Sequence, residues 1–349
     1  MEFHENILNY KEIDIITKVL NHYNIYADSI SKVRSAFKIT SENKIYFLKK
    51  MKHGSSKVKN GYYIVEYLKK NSFEYVASYL RTANGEYTVK SGGHVFYLTE
   101  WIDGEECNYK TLEEAKKCAI LLANFHLSSG HIDTQKLHIK SNMKNWPRLM
   151  NKCLRDLEKY KNIIESKKNR SDFDNLYYNN VDIYYNIGMT ALSILNNSQY
   201  YKLSYEANKK RTLCHDSFYY QNILKKDNQY YIVDLDSIVI DLQIMDLSKF
   251  IRRLMPKKNY MWDFNFAKSL IESYNNIKTL SLDELEIMLS MIVFPHSFWK
   301  LGRKMYIKHK KWNDEKYLRK LDKLIKYSNQ KQLFIQDYIK YLEAYNLDK

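Results

Sequence analysis

Proline and glycine are scarce in this 349-residue chain, at three and nine. Pro147, Pro256 and Pro295 are too few for an extended proline-rich spacer, and no glycine- or serine-rich run separates independent domains. The four cysteines, Cys107, Cys118, Cys153 and Cys214, lie far apart. Without a CxxC pair they indicate neither a zinc site nor a disulfide scaffold, and reduced thiols in a cytoplasmic protein are expected. No uncharged apolar stretch is long enough to span a membrane. The opening MEFHENILNYKEIDII is acidic and lacks the apolar run of a signal peptide.

Hydrophobic residues, at 45%, are enough for one large core or two lobes. Lys and Arg exceed Asp and Glu to leave a net charge of +16, which favours anionic partners such as nucleotides or acidic surfaces. The surplus is densest from Lys300 to Lys331. No RNP, zinc-finger or helix-turn-helix signature accompanies it, so a nucleic-acid partner is not expected.

Strand signals crowd the first ~100 residues. Lys44–Lys50 reads as a short strand, and Gly61–Lys70 as a helix. Val76–Arg81, Glu86–Lys90 and His94–Glu100 read as a meander whose first turn holds Asn84-Gly85. Trp101-Ile102-Asp103-Gly104 is a connector. Beyond it the pattern is helical, with capping boxes at Thr111–Glu114 and Ser281–Glu284. The hydrophobic stretch Phe294–Tyr306 reads as helical core. The one interruption is a strand pair around Asn222–Leu224 and Tyr230–Asp234, turning at Asp227-Asn228. The expected class is α+β, with residues 1–103 as a small antiparallel-sheet lobe. Residues 104–349 form a larger, mainly helical lobe that carries a catalytic-type loop over 213–236.

That loop holds the chemistry. His215, Asp216 and Asn222 lie on it, Asp234 ends an apolar strand, and Asp246 starts a helix. An amide oxygen and a carboxylate are hard ligands suited to magnesium, which makes Asn222 and Asp234 the natural pair. Asp236 is the weaker candidate, on the opposite face or just past the strand. A loop carboxylate would orient a hydroxyl acceptor. His126, at a helix end, reads as a packed residue.

The segment resembles the catalytic core of the aminoglycoside and choline kinase-like superfamily, whose pattern is HxDxxxxN, then a strand ending in IDFD or similar, then DLA. Here it reads HDSFYYQN, VDLD and DLS. EYLKKNSFEYV, NGEYTV, GGHVFYLTEWIDGEE, LANFH and DLSKFIRR resemble the spore-coat CotS-type branch, so the resemblance runs from about residue 10 to 340. It implies a two-lobed protein kinase-like fold. It implies that Lys49 holds nucleotide phosphates, with Lys50 its rival on the opposite strand face. Glu66 is the implied ion-pair partner, Glu100, Trp101 and Ile102 the hinge beside adenine, and His215 a structural histidine. Asn222 and Asp234 are the implied metal ligands, and Asp246 braces the loop.

Two positions depart from the pattern. Family spacing puts the catalytic aspartate at Ser217, with Asp216 one residue earlier. The phosphate-covering turn near Ser31–Ile39 has no glycine, which leaves Ser31, Lys32 and Ser35 to reach phosphate by side chains. The resemblance therefore implies a spore-coat kinase-like protein using ATP and Mg²⁺, with a hydroxyl acceptor on a small molecule or coat component. Its alternative is an inactive pseudokinase serving as a structural coat protein. Either would bind nucleotide or other coat proteins, first in the mother-cell cytoplasm and then in the coat.

Overall fold

Paired positive φ values at Glu42-Asn43 (46° and 65°) and Gly92-Gly93 (54° and 75°) close two hairpins, the turn geometry that matches twisted antiparallel strands. The structure, a computed structural model, describes residues 8–51 and 55–347. Strands β1 (Ser29–Val33), β2 (Ala36–Ser41), β3 (Lys44–Met51), β4 (Val89–Ser91) and β5 (His94–Glu100) form an antiparallel sheet in the order β1-β2-β3-β5-β4. The glycine-free turn is therefore a hairpin tip at Arg34-Ser35, with Arg34 at φ 57°.

The meander is thinner than its sequence pattern. Val76–Arg81 forms no strand. Leu80 N donates to Leu98 O and Glu100 N to Ser78 O, both at 2.9 Å, but beyond them Thr82 N turns to Glu86 O and ends the ladder. The Asn84-Gly85 turn forms, with Gly85 at φ 80°, yet it closes a loop.

Helix α1 (Tyr10–Asn21) starts at a capping box made by Asn9 and Glu12. Its Ile16, Val19 and Leu20 share a buried cluster with Ile39, Leu48 and Leu98 of one sheet face. Helix α2 (Ser56–Lys70) starts a turn earlier than its apolar pattern suggests. Its Val58 packs with Met51 and Tyr97, which lie on the opposite face of the sheet from Leu48 and Leu98.

By packing, the chain forms two units. The first holds residues up to Asn108, with 124–140 and 215–239; the second holds 109–123, 141–214 and Ile240 onward. A single cut at 103/104 would part 124–140 and 215–239 from residues they pack against. Within the first unit a three-stranded sheet joins β6 (Glu105–Glu106) to a later hairpin. Strand β7 (Leu213–Cys214) precedes that hairpin, which is made of β8 (Ile223–Lys226) and β9 (Gln229–Ile232). It turns at Asp227-Asn228, both at positive φ.

Helix α3 (Leu112–Ser128) begins where Thr111 Oγ1 accepts from Glu114 N at 3.2 Å. The second unit is otherwise built from α4 (Trp146–Glu165), α5 (Asp172–Asn197), α6 (Tyr200–Lys210), α7 (Ile244–Leu254), α8 (Phe264–Asn275), α9 (Leu282–Val293), α10 (His296–Tyr306), α11 (Asp314–Ile325) and α12 (Ser328–Leu347). The Ser281 capping box is complete: Glu284 N donates to Ser281 Oγ, and Ser281 N to Glu284 Oε2. Phe298 of α10 stacks on Tyr184 and Tyr177 at 4.1 and 4.2 Å, so the Phe294–Tyr306 stretch is core. All four cysteines are buried and free of disulfides. No helix among the described residues is long and apolar enough to cross a membrane.

Candidate functional site: a lysine held by two carboxylates

Strand alternation separates Lys49 from Lys50. Lys49 stands opposite Tyr97, on the face that packs towards α2, whereas Lys50 is exposed. The Lys49 ammonium bonds to Asp234 Oδ1 and lies 3.2 Å from Asp236 Oδ2. Asp236 lies past the strand, in the single 3-10 turn Leu235–Ser237. That turn packs against α2 and brings both carboxylates to one ammonium.

Burial disfavours charge on all three groups. It pushes Lys49 down, but the two carboxylates outweigh it and its pKa rises. It also raises Asp234, yet the hydrogen bond from Asp236 and the charge of Lys49 bring that carboxyl below its ordinary range. For Asp236, burial and the neighbouring Asp234 win, and it is pushed up to about 7. The shared ammonium thus favours the ionised form of Asp234 over that of Asp236.

The loop before them is set by His215, which is fully buried. Its Nδ1 accepts from Ser217 N at 3.3 Å, so Nε2 carries the proton and donates to Val233 O at 3.0 Å. Asp216, between these anchors, takes a left-handed backbone at φ 61°, and Asp234 does the same at φ 69°. Aspartate tolerates that region better than most residues, and such outliers gather at functional sites. Ser237 Oγ donates to His215 O, tying the 3-10 turn to the loop.

Asn222, buried at the base of the β8–β9 hairpin, donates from Nδ2 to Ser217 O at 3.0 Å. Val233 N donates to Asn222 O at 3.0 Å, so Asn222 lies one rung beyond the Ile223–Ile232 pair and Asp234 follows directly. Among the described residues no donor reaches Asn222 Oδ1. A free amide oxygen beside a carboxylate is a hard-oxygen donor set that fits Mg²⁺.

Glu66 is exposed on α2 and makes no ion pair with Lys49 among the described residues; the expected pairing is corrected. Within α2, Gly61 is buried against Tyr79. A Cβ there would lie 2.5 Å from the Tyr79 hydroxyl. Tyr79 stacks on Tyr97 at 5.4 Å, and both phenols feel the charges of Asp234 and Asp236. Asp236 is the second acid beside Lys49, and Tyr79 packs against Gly61 of α2. The sequence signal that could have shown this is one of nine glycines lying inside a helical pattern.

At the connector after β5, Glu100 pairs with Lys69 at 3.5 Å, and Lys69 also reaches Ser78 Oγ. Trp101 N donates to Ile45 O, and the Lys38 ammonium lies 4.8 Å from the Trp101 ring. Ile102 follows, half-buried, and accepts from Gly104 N. A cavity of about 400 Å³, lined by Lys44, Ile45, Tyr46, Ser78, Tyr79, Leu80 and Glu100, opens beside this connection. At the β1–β2 tip Arg34 pairs with Glu106 at 2.6 Å, while Lys32 pairs with Glu12 at 3.4 Å. Asp246 belongs to the second unit, buried in the first turn of α7.

A lysine strand, an Asn-bearing loop and a strand-end aspartate follow in the order of the protein kinase-like fold, and solved structures share that fold. The chain is similar over 94% of its length to an aminoglycoside phosphotransferase from Alicyclobacillus acidocaldarius (17% identity, 96% of that chain, TM-score 0.85). It is also similar over 95% of its length to spectinomycin phosphotransferase APH(9)-Ia in complex with ADP and spectinomycin (16% identity, 100% of that chain, TM-score 0.64). At these identities the likeness shows the fold, α+β of the kinase-like class. The particular family follows from residues 16–338, which match the family described as "Spore coat putative kinase YutH"; the chain belongs to it. It is similar also to spore coat protein S of Bacillus subtilis (strain 168), with 25% identity over 331 residues and 93% of each chain covered.

Proposed function

We propose that the protein is a nucleotide-binding, kinase-like component of the spore coat that binds ATP with Mg²⁺ at Lys49, Asn222 and Asp234. The observation that carries this is the convergence of Lys49 with Asp234, near an Asn222 whose Oδ1 accepts no hydrogen bond among the described residues. Asn222 and Asp234 would hold the metal, which when bound would spread the charge of the phosphate oxygens. Lys49 would meet a phosphate oxygen in place of Asp234, with Asp236 as its remaining carboxyl partner. Trp101 and Ile102 border the base. The chain acts first in the mother-cell cytoplasm and then in the coat, alongside other coat proteins.

Asp216 is the loop's acid for orienting an acceptor hydroxyl on a small molecule or coat component. A second reading, a non-catalytic scaffold, is favoured by Ser217, which stands where the base belongs and whose hydroxyl has no basicity at neutral pH. Thermal shift with ATP–Mg²⁺ tests binding: wild type is expected to rise and Asp234→Ala to lose the rise, and no rise in wild type refutes the nucleotide reading. Turnover with a panel of alcohols tests the chemistry. Phosphoryl transfer that disappears in Asp216→Asn excludes the scaffold reading, and binding without turnover establishes it.

A further inference from the structure

The lysine surplus between Lys300 and Lys331 has no part in the Lys49 site. In the second unit it is gathered about one indole. The ammonium groups of Lys304, Lys310, Lys316 and Lys320 lie 4.7, 5.0, 5.0 and 5.2 Å from the centroid of the Trp312 ring. Lys304 ends α10, Lys310 sits on the following loop, and the other two belong to α11.

The backbone fixes this arrangement. The phenol of buried Tyr317 donates to Lys310 O at 2.8 Å and lies 3.2 Å from Lys304 O. Lys310 N donates to Lys304 O at 2.9 Å, and Trp312 packs on Tyr317 at 5.1 Å. None of the four ammonium groups makes an ion pair among the described residues, although Asp314, Glu315 and Asp322 lie exposed on the same helix. Burial and the charges of Lys300, Lys310, Lys320 and Lys308 push the Lys304 ammonium down. The local charge is therefore net positive, with lysines outnumbering these acids.

A surface that holds like charges together without counter-charge favours a multivalent anion. The ammonium groups crowd the indole, which leaves it poorly placed to stack on a base. All four are lysines, point charges without the paired fork that arginine offers phosphate. An extended acidic strand, by contrast, presents carboxylates on one face about 6.6 Å apart, every second residue, a multivalent partner for point charges. The geometry points to Trp312 and its four lysines as a docking surface for an acidic, Asp/Glu-rich segment of a partner protein.

The test uses the full chain and fluorescence anisotropy with two probes: a labelled peptide of alternating Asp and Glu, and a single-stranded oligonucleotide of matched charge. Wild type is expected to bind the peptide in preference to the oligonucleotide. Reversing Lys304, Lys310, Lys316 and Lys320 together to Glu is expected to weaken peptide binding at least about tenfold. Reversing the exposed Lys168, Lys202, Lys209 and Lys210 changes overall charge equally and is expected to cost less than about threefold. No peptide binding by wild type, equal loss in both variants, or tighter binding of the oligonucleotide overturns the proposal. Circular dichroism checks folding. Should the fourfold variant not fold, Lys310→Gln with Lys320→Gln is expected to weaken the peptide about threefold, and an unchanged affinity overturns the proposal. The ATP–Mg²⁺ thermal shift stays intact in the patch variants, so this surface and the nucleotide reading stand or fall separately.

Discussion

Lys49 in the first unit and Lys331 in the second are both largely withdrawn from water, yet their protonation moves in opposite directions. Lys49 meets two carboxylates, and its pKa rises. Lys331, 6% exposed, meets the faces of Trp262 and Tyr184, at 4.8 and 5.6 Å, and the repulsion of Arg252, with no ion pair among the described residues. Burial and that repulsion push it down to about 7. Desolvation acts on both; the charged neighbours decide the outcome. A buried cation given paired acids keeps its charge. One without them is a cost in stability.

The largest effect should come from removing the first cation. Lys49→Met is expected to weaken nucleotide binding by about 10- to 100-fold, the range for a charge-assisted hydrogen bond, read by calorimetric titration. Asp236→Asn should cost about tenfold alone and much less in the Lys49→Met background, because the two act as one unit. Additive losses would break the claim that Asp236 is the lysine's counter-charge.

At the other lysine the sign reverses. Lys331→Met is expected to stabilise the protein by about 1–4 kcal/mol, as apolar replacement of buried charge often does. The folded pKa of about 7 lies below the ordinary 10.5, so between these values the unfolded chain binds more protons. Stability therefore gains a contribution that grows as pH rises from 7 towards 10. Denaturant midpoints across that window should show the gain in wild type and lack it in Lys331→Met.

Smaller still is the packing that stands in for an acid. Gly61→Ala is expected to destabilise by about 1–2 kcal/mol, since a Cβ meeting the Tyr79 phenol outweighs the helix propensity gained. Glu66→Gln should change neither stability beyond about 0.5 kcal/mol nor nucleotide affinity. A loss of affinity there would show that α2 supplies the acid after all and would erase the contrast with Lys331.

Much of the site was legible because its parts are local. His215, Asp216, Ser217 and Asn222 sit within one loop, and the turn at Asp227-Asn228 is written in residues that accept positive φ. The β1–β2 hairpin was harder to read: its alternation is weak, and its tip at Arg34 lacks the glycine that marks such turns. Val76–Arg81 misled for the opposite reason, since its β-prone residues make only two ladder bonds before the chain leaves the sheet.

The sequence by itself determined the helical and strand periods, the caps and the order of the chemical groups, because these depend on neighbours a few residues apart. Only the tertiary structure decided that Asp236 and not Glu66 meets Lys49, that a phenol lies against Gly61, and that four lysines encircle Trp312. The first of these turns on which side chains share a desolvated space, where a residue's partners come from stretches as remote as 49 and 236, whose meeting no local pattern encodes.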